Sequence, residues 1–137
     1  MGRVFLVELQ SRSFYKCRFC HTHLAPSDNI LSWSFNCRRG RAYLFSDVVN
    51  ITLGHQEDKM MLSGLHTVED IFCVCCGQIL GWKYVAAHDR NQKYKEGKFV
   101  LESTAILIHF SNRWRIAEAT EELNLDACAG SSDADTP

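Results

Sequence analysis

CRFC at residues 17–20 and CVCC at residues 73–76 are the two stretches that decide how this chain folds. In each stretch two residues separate the first cysteine from the last, and this spacing lets both thiolates of one tight turn point at the same ion. Two such turns supply four thiolates, which is typical of a structural zinc site with tetrahedral geometry and no open coordination position. We therefore predict one structural Zn²⁺ whose ligands are Cys17, Cys20, Cys73 and Cys76.

The sequence leaves two alternatives to this zinc site. One or both cysteine pairs could be free or redox-active thiols, although two pairs are harder to explain in this way than one. His21 and His23 follow the first pair and could compete as ligands, but residues at such positions more often lie at the surface. The two turns enclose the 52 residues 21–72, so a shared ion would close a long loop and stabilise a small domain.

Length and composition limit the class of protein. A chain of 137 residues with 46% hydrophobic residues is typical of one globular domain. Its formal net charge of −1 argues against nucleic-acid binding through bulk electrostatics, and no apolar run approaches the roughly 18 residues of a membrane helix. The seven cysteines are an odd number, and four of them in metal-binding spacing favour a reducing compartment, the nucleus or the cytoplasm. We expect neither nucleic acid nor a membrane among the partners.

Short apolar runs separated by turn signals predict the secondary structure. Residues 30–35 alternate in polarity, which is typical of a half-buried strand. Similar runs predict further strands at 4–9, 42–45, 48–53, 59–62, 66–72 and 79–86, and a long β-rich segment at 98–110. Together they predict a mainly β domain of short antiparallel strands.

The composition changes near Ser111. Residues 112–123 contain good helix formers after Asn112, a favoured N-cap residue, and they predict a C-terminal helix. From Ala127 onward the residues are small and polar, which predicts a disordered tail. We therefore expect a zinc-binding domain at 1–110, followed by a helix and a disordered tail at 111–137.

A longer pattern surrounds the two cysteine turns. Its fixed positions are Gly40, Leu44, Asn50, Gly64, Gly81-Trp82-Lys83-Tyr84, the stretch Gln92 to Lys98, and Glu102. This pattern, from about Gly2 to Glu102, resembles the Yippee-like family. The resemblance implies a zinc-held β-fold called the β-tent, which is similar to the thalidomide-binding domain of cereblon and to the B-type methionine sulfoxide reductases. Members usually end soon after the position of Glu102, so the resemblance implies nothing about residues 103–137.

The resemblance also implies a binding module rather than an enzyme. Where the similar reductases carry their catalytic cysteine, this chain has Val100, which cannot attack a sulfoxide. Yippee-like relatives are associated with the nucleus and the cytoplasm and with accessory roles in a ubiquitin ligase of the CTLH/GID type. The main expectation is therefore a zinc-binding adaptor or accessory subunit that binds a protein partner.

An aromatic pocket is the alternative function that the resemblance implies. Trp82, Tyr84 and His66 match positions around the aromatic cage of cereblon, with an imidazole in place of one tryptophan. Such a cage would bind a small ligand or a modified peptide through apolar contact and ring quadrupoles. The competing interpretation is that Trp82 and Tyr84 are core residues on one face of a strand.

A charged stretch is the last candidate site. Lys93, Lys95 and Lys98 lie in a run dense in charge and glycine, which predicts an exposed loop suited to protein contact. These lysines, together with Lys83 and the arginines at 38, 39 and 41, could instead form a basic face for nucleic acid. The net charge favours solvated loops over that second interpretation.

Overall fold

The fold is built almost entirely from β-strands, in a computed structural model that describes residues 5–37 and 40–110. Within these residues, three short 3₁₀ turns at Ser27–Asn29, Arg90–Lys95 and Ser103–Ala105 interrupt the strands. The strands are β1 Ser13–Cys17, β2 His23–Pro26, β3 Ile30–Cys37, β4 Gly40–Phe45, β5 Ile51–Met61, β6 Gly64–Cys73, β7 Ile79–Ala87, β8 Phe99–Glu102 and β9 Ile106–Phe110.

Two antiparallel sheets contain these strands. The small sheet has the order β2-β1-β9, and the large sheet has the order β3-β4-β8-β7-β6-β5. This confirms the predicted mainly β fold of short antiparallel strands. The predicted C-terminal helix and tail lie outside the described residues. No helix within the described part of the chain is long and apolar enough to cross a membrane.

The chain moves from the large sheet to the small sheet just after Glu102. The predicted β-rich segment at 98–110 is two strands, because the turn Ser103–Ala105 separates β8 from β9. β9 pairs with the whole of β1, from Ser13 opposite Phe110 to Cys17 opposite Ile106. The fold therefore continues past Glu102, and β9 supports the strand that leads into the first cysteine turn.

Two predicted strand boundaries are wrong in the middle of the chain. Residues 48–53 and 59–62 were expected as separate strands, but one strand, β5, runs from Ile51 to Met61. Residues 54–58 between the two ranges are Gly-His-Gln-Glu-Asp, which interrupts the apolar pattern. β5 lies at the edge of the large sheet and most of its residues are exposed, so a polar run costs little there.

The predicted first strand at 4–9 is also wrong over its described part. Phe5–Gln10 joins neither sheet, and the Phe5 side chain is 86% exposed. The reason is topological: β2 and β9 already flank β1 in the small sheet. No edge of β1 is left for a further strand.

Among residues 5–37 and 40–110, the buried apolar side chains form two groups. The first group lies around β1 and β4 and includes Tyr15, Leu24, Tyr43 and Phe45. The second group lies on the large sheet and includes Phe35, Trp82, Tyr84 and Val100. Burial of such large apolar side chains is the main stabilising term in a domain of this size.

Candidate metal centre

The four predicted ligands converge where the two sheets meet. β1 of the small sheet ends at Cys17, and β6 of the large sheet ends at Cys73. All four sulfur atoms lie within 4.8 Å of one another, with Cys17 Sγ 3.7 Å from Cys76 Sγ and Cys20 Sγ 3.4 Å from Cys73 Sγ. Zn–S bonds of about 2.3 Å in a tetrahedron place sulfurs about 3.8 Å apart, whereas a disulfide needs about 2.0 Å. The geometry therefore fits one zinc ion.

The two cysteine turns have the same construction. In the first turn, the Cys17 N–H donates to Thr22 O, and Cys17 O accepts from the His21 N–H, both at 2.9 Å. In the second, the Cys73 N–H donates to Gln78 O, and Cys73 O accepts from the Gly77 N–H, again at 2.9 Å.

The residue after each turn has a left-handed backbone. Its φ is 66° at His21 and 78° at Gly77. Glycine adopts this conformation freely, while a histidine there needs support from its surroundings. Both Cys-x2-Cys turns have this same local structure. The spacing of the cysteines was therefore enough to predict the four zinc ligands.

The thiols of the cluster differ in burial and in pKa. Cys17 and Cys73 are buried, whereas Cys20 and Cys76 are exposed. Burial raises the pKa of the Cys17 thiol to about 12. Burial also raises the pKa of Cys20, but the Thr22 hydroxyl, 3.0 Å from its sulfur, and the Thr22 backbone N–H lower it to about 7. A thiolate at Cys17 is therefore stable only next to a positive charge, which a bound zinc ion provides.

The role of this centre is structural. Four sulfur donors complete a tetrahedron, so the ion has no free position at which to activate water. The first turn is also fixed to the crossover between β8 and β9, because the Arg18 N–H donates to Ala105 O at 3.0 Å. A zinc ion here ties the small sheet to the large sheet.

Comparison with known proteins agrees with this geometry. A family model described as Yippee zinc-binding/DNA-binding/Mis18, centromere assembly, matches residues 13–119. The chain belongs to this Yippee/Mis18 family. The match extends beyond Glu102, where we expected the family pattern to end, so β9 is part of the family domain.

Several Yippee relatives are closely similar in sequence. A yippee-like protein of Arabidopsis thaliana is 64% identical over 107 residues, which are 78% of this chain and 82% of the relative. A yippee-like protein of Solanum tuberosum is 61% identical over 102 residues, covering 74% and 78% of the two chains. Yippee-like protein 4 of Rattus norvegicus is 51% identical over 88 residues, covering 64% and 69%.

A solved structure shows the same fold. The crystal structure of the Mis18 Yippee-like domain matches with a TM-score of 0.56 and 14% identity, and the match covers 71% of this chain and 94% of that one. At this identity the likeness concerns the fold alone.

The predicted aromatic pocket residues lie in the interior of the large sheet. Trp82 is 3% exposed, and Tyr84 and His66 are fully buried. The Tyr84 ring centre lies 6.2 Å from that of Trp82 and 5.1 Å from that of His66. The Tyr84 ring therefore contacts the other two rings, and all three are buried, as the core interpretation expects.

The predicted contact loop differs from expectation at one lysine. Lys93 is exposed and pairs with Glu96 at 3.3 Å, and Lys98 is half-buried. Lys95 is only 2% exposed, so the expectation of an exposed side chain is wrong there. Its Nζ donates to Ser63 Oγ at 3.1 Å.

Aromatic rings explain why Lys95 can be buried. Its Nζ lies 5.0 Å from the Phe35 ring centre, 5.4 Å from that of Tyr84 and 5.8 Å from that of Tyr94. Ring quadrupoles attract a cation and offset part of its desolvation. The Tyr84 ring, which the pocket interpretation places against a ligand, therefore faces an ammonium group of the same chain.

Sequence reasoning missed Asn50 as a site residue. Asn50 has a left-handed backbone with φ 61°, and its side chain binds the main chain of the N-terminal segment. The pattern contained Asn50 as a family position, but the hydrogen bonds that its amide makes come from segments distant in sequence. A polar residue before a strand does not by itself indicate them.

Proposed function

We propose that this chain is a non-catalytic, zinc-held protein-interaction module that acts as an adaptor or accessory subunit. The closed set of four sulfur donors supports the non-catalytic part, because it leaves the metal no position for a substrate or a water molecule. Val100, at the position where similar reductases have their nucleophile, is fully buried. A place in a CTLH/GID-type ubiquitin ligase, in the nucleus or the cytoplasm, is the specific form of this proposal that the family resemblance implies.

One exposed apolar surface is the observation that carries the proposal. At the end of the β5–β6 hairpin, Met60 and Leu62 are 70% and 76% exposed. The loop after β7 packs beside this hairpin, since the Lys95 ammonium bonds to Ser63 and the His88 N–H donates to Leu65 O at 3.1 Å. That loop adds exposed Lys93 and Tyr94.

We name this the hairpin-tip surface, and its residues are Met60, Leu62, Lys93 and Tyr94. Methionine and tyrosine are enriched at protein interfaces relative to the rest of the protein surface. The hairpin-tip surface includes part of the predicted contact loop and excludes Lys95, which lies in the interior.

An affinity pull-down with mass spectrometry tests this function. The bait is the zinc-loaded full chain, compared with a Leu62→Ser/Tyr94→Ser variant of the hairpin-tip surface. The matched control is Leu31→Ser, which removes another exposed leucine on β3, at the opposite edge of the large sheet. We expect the wild type and the control to recover the same partner and the surface variant to lose it. Equal recovery by all three baits, or no partner for the wild type, would contradict the proposal.

Nucleic acid is a weaker candidate partner, although the family description includes DNA binding. Three of the candidate lysines are engaged within the chain: the Lys83 ammonium lies 5.3 Å from the Phe99 ring centre, Lys93 pairs with Glu96, and Lys95 is buried. Fluorescence anisotropy with duplex DNA near physiological salt should therefore show no binding in the range of specific complexes.

One observation favours the aromatic-pocket alternative. The indole N–H of Trp82 is buried without a hydrogen-bond partner among the described residues, and a buried unpaired donor is a place where a ligand acceptor could bind. A pocket reader should lose its ligand when Trp82 is changed to Phe, which removes the N–H and keeps an aromatic ring. An adaptor that uses the hairpin-tip surface should keep its partner in that variant.

A further inference from the structure

The main chain of the N-terminal segment Phe5–Leu9 is held at two residues, although the segment belongs to neither sheet. Asn50 contacts both polar groups of Val7: its Oδ1 accepts from the Val7 N–H at 2.8 Å, and its Nδ2 donates to Val7 O at 2.9 Å. Two residues later, the Leu9 N–H donates to Nδ1 of His23 at 3.0 Å. In an extended chain, residues two apart present their main-chain groups on the same edge.

Asn50 and His23, which hold the segment, form what we call the clamp. Other parts of the domain fix the positions of both residues. Asn50 O accepts from the Val74 N–H of the second cysteine turn at 3.0 Å. Its Nδ2 also donates to His23 O at 2.7 Å, which fixes the orientation of the amide. The His23 ring packs against Phe14 of β1, with ring centres 4.1 Å apart. Both polar ends of the clamp therefore have supports that do not involve residues 5–9.

Recognition of the segment is limited to its backbone. Phe5 is 86% exposed, and Leu6 and Val7 are each about half exposed. The segment therefore buries little apolar surface, and its three main-chain hydrogen bonds each contribute only modestly in water. Any extended peptide offers the same N–H and C=O groups, so another peptide can replace this segment.

A cavity of about 410 Å³ lies between the segment and the cysteine turns. The first turn contributes Cys20, His21, Thr22 and His23 to its walls, and the other wall residues are Leu6, Val7, Glu8, Asn50 and Cys75. This volume is open with the segment in place. It provides room for a side chain beside the clamped backbone.

We propose that this groove, formed by residues 20–23 and Asn50, is a second binding site, and that its ligand is an extended peptide segment of another protein. Phe5–Leu9 occupies the groove as an intramolecular competitor, and the incoming peptide takes over its hydrogen bonds to Asn50 and His23. This mode resembles main-chain recognition by strand addition, in which backbone bonds hold the peptide and side-chain pockets select it. The site is separate from the hairpin-tip surface and goes beyond the function proposed above.

The test uses the zinc-loaded full chain and a fluorescein-labelled peptide with the sequence of residues 5–12, FLVELQSR. Fluorescence anisotropy measures the binding. Because a tethered segment competes at an effective concentration of the order of mM, we expect weak binding to the wild type. Val7→Pro removes the N–H that Asn50 binds in the resident segment. This variant should bind the peptide about 2-fold to 10-fold more tightly than the wild type, which corresponds to the loss of one competing hydrogen bond.

Two controls test the clamp itself. Introduced into the Val7→Pro variant, whose resident segment has already lost its N–H bond to Asn50, Asn50→Gly removes the amide but tolerates the left-handed backbone. It should weaken peptide binding by about 2-fold to 10-fold, because the incoming peptide then loses two hydrogen bonds and the resident segment only one. A peptide that is N-methylated at the valine lacks the donor for Asn50 and should bind weakly to every variant. The comparison of the methylated and unmethylated peptides uses folded wild-type protein. It therefore tests the backbone hydrogen bond to Asn50 even if the Asn50→Gly variant does not fold.

Either of two results would overturn this site. One is no peptide binding to either the wild type or Val7→Pro; the other is equal binding of the methylated and unmethylated peptides. Neither result affects the adaptor proposal, which is tested by partner recovery at the hairpin-tip surface. Conversely, the pull-down could recover no partner while peptide binding still depends on Asn50. That result would contradict the adaptor proposal and support the groove as a peptide site.

Discussion

The ammonium nitrogen of Lys95 lies 5.0 Å from the centre of the Phe35 ring, inside the core of the large sheet. Lys95→Ala should destabilise the protein by roughly 2–3 kcal/mol, because it removes the buried stem, the cation–π contacts and the bond to Ser63. The exposed Lys93 forms only a surface ion pair with Glu96, so Lys93→Ala should cost about 0.5 kcal/mol or less. Urea unfolding of the two variants measures the difference. An equal or larger effect at Lys93 would contradict the buried position of Lys95.

Trp82 provides a second test of the same core. Trp82→Ala should cost about 3–5 kcal/mol, as expected when a large buried aromatic side chain is truncated. Trp82→Phe should cost much less, roughly 1–1.5 kcal/mol, because it keeps most of the apolar contact and the indole N–H has no partner among the described residues. Thermal and urea unfolding of the zinc-loaded variants gives both values. A Phe variant as unstable as the Ala variant would show that the N–H makes a bond that this account omits.

Gly81 allows two neighbouring strands to approach closely. A Cβ built at Gly81 would lie 1.9 Å from Val100 O on β8, so any side chain there forces the backbones of β7 and β8 apart. Gly81→Ala should therefore destabilise the protein by about 3 kcal/mol or prevent folding. Gly54→Ala on β5 is the matched control, because the nearest atom to its Cβ would be Phe72 Cε1 at an ordinary 3.4 Å. If the two variants have similar melting temperatures, the close approach of β7 and β8 does not restrict position 81 to glycine.

The position of β9 predicts where the chain can be shortened. A chain that ends after Glu102 lacks β9, so one edge of β1 is unpaired and Ile106 is lost from the core. We expect it to aggregate or to melt several degrees lower, since about 1 kcal/mol corresponds to about 4–8 °C in a domain of this size. A chain that ends after Phe110 tests the proposed domain 1–110 and should melt within about 2 °C of the full chain. Similar melting of the 102-residue and full-length chains would exclude a structural role for β9.

The sequence predicted the metal ligands and the fold class because both depend on local patterns. Two cysteine turns with the same spacing identify four ligands, and short β-prone runs between turn signals identify a β fold. Where the sequence predicted a position wrongly, the actual position is set by contacts between segments distant in sequence. Lys95 is charged and lies in a polar stretch, and its burial depends on the rings of Phe35 and Tyr84, which are distant in sequence. Phe5–Leu9 has the composition of a strand, but β1 has no free edge for it.

The central claim is that one zinc ion, held by cysteines from both sheets, maintains the fold. Metal analysis of protein purified without added zinc tests it most directly, with wild type, Cys17→Ser/Cys73→Ser and Cys75→Ser compared side by side. Cys75 is an exposed thiol within the second turn that is not among the four converging sulfurs, so its variant should keep the metal. We predict about one zinc per chain for the wild type and Cys75→Ser, and an unfolded, zinc-free double variant. A double variant that remains folded, or a wild type that folds without zinc, would contradict this account.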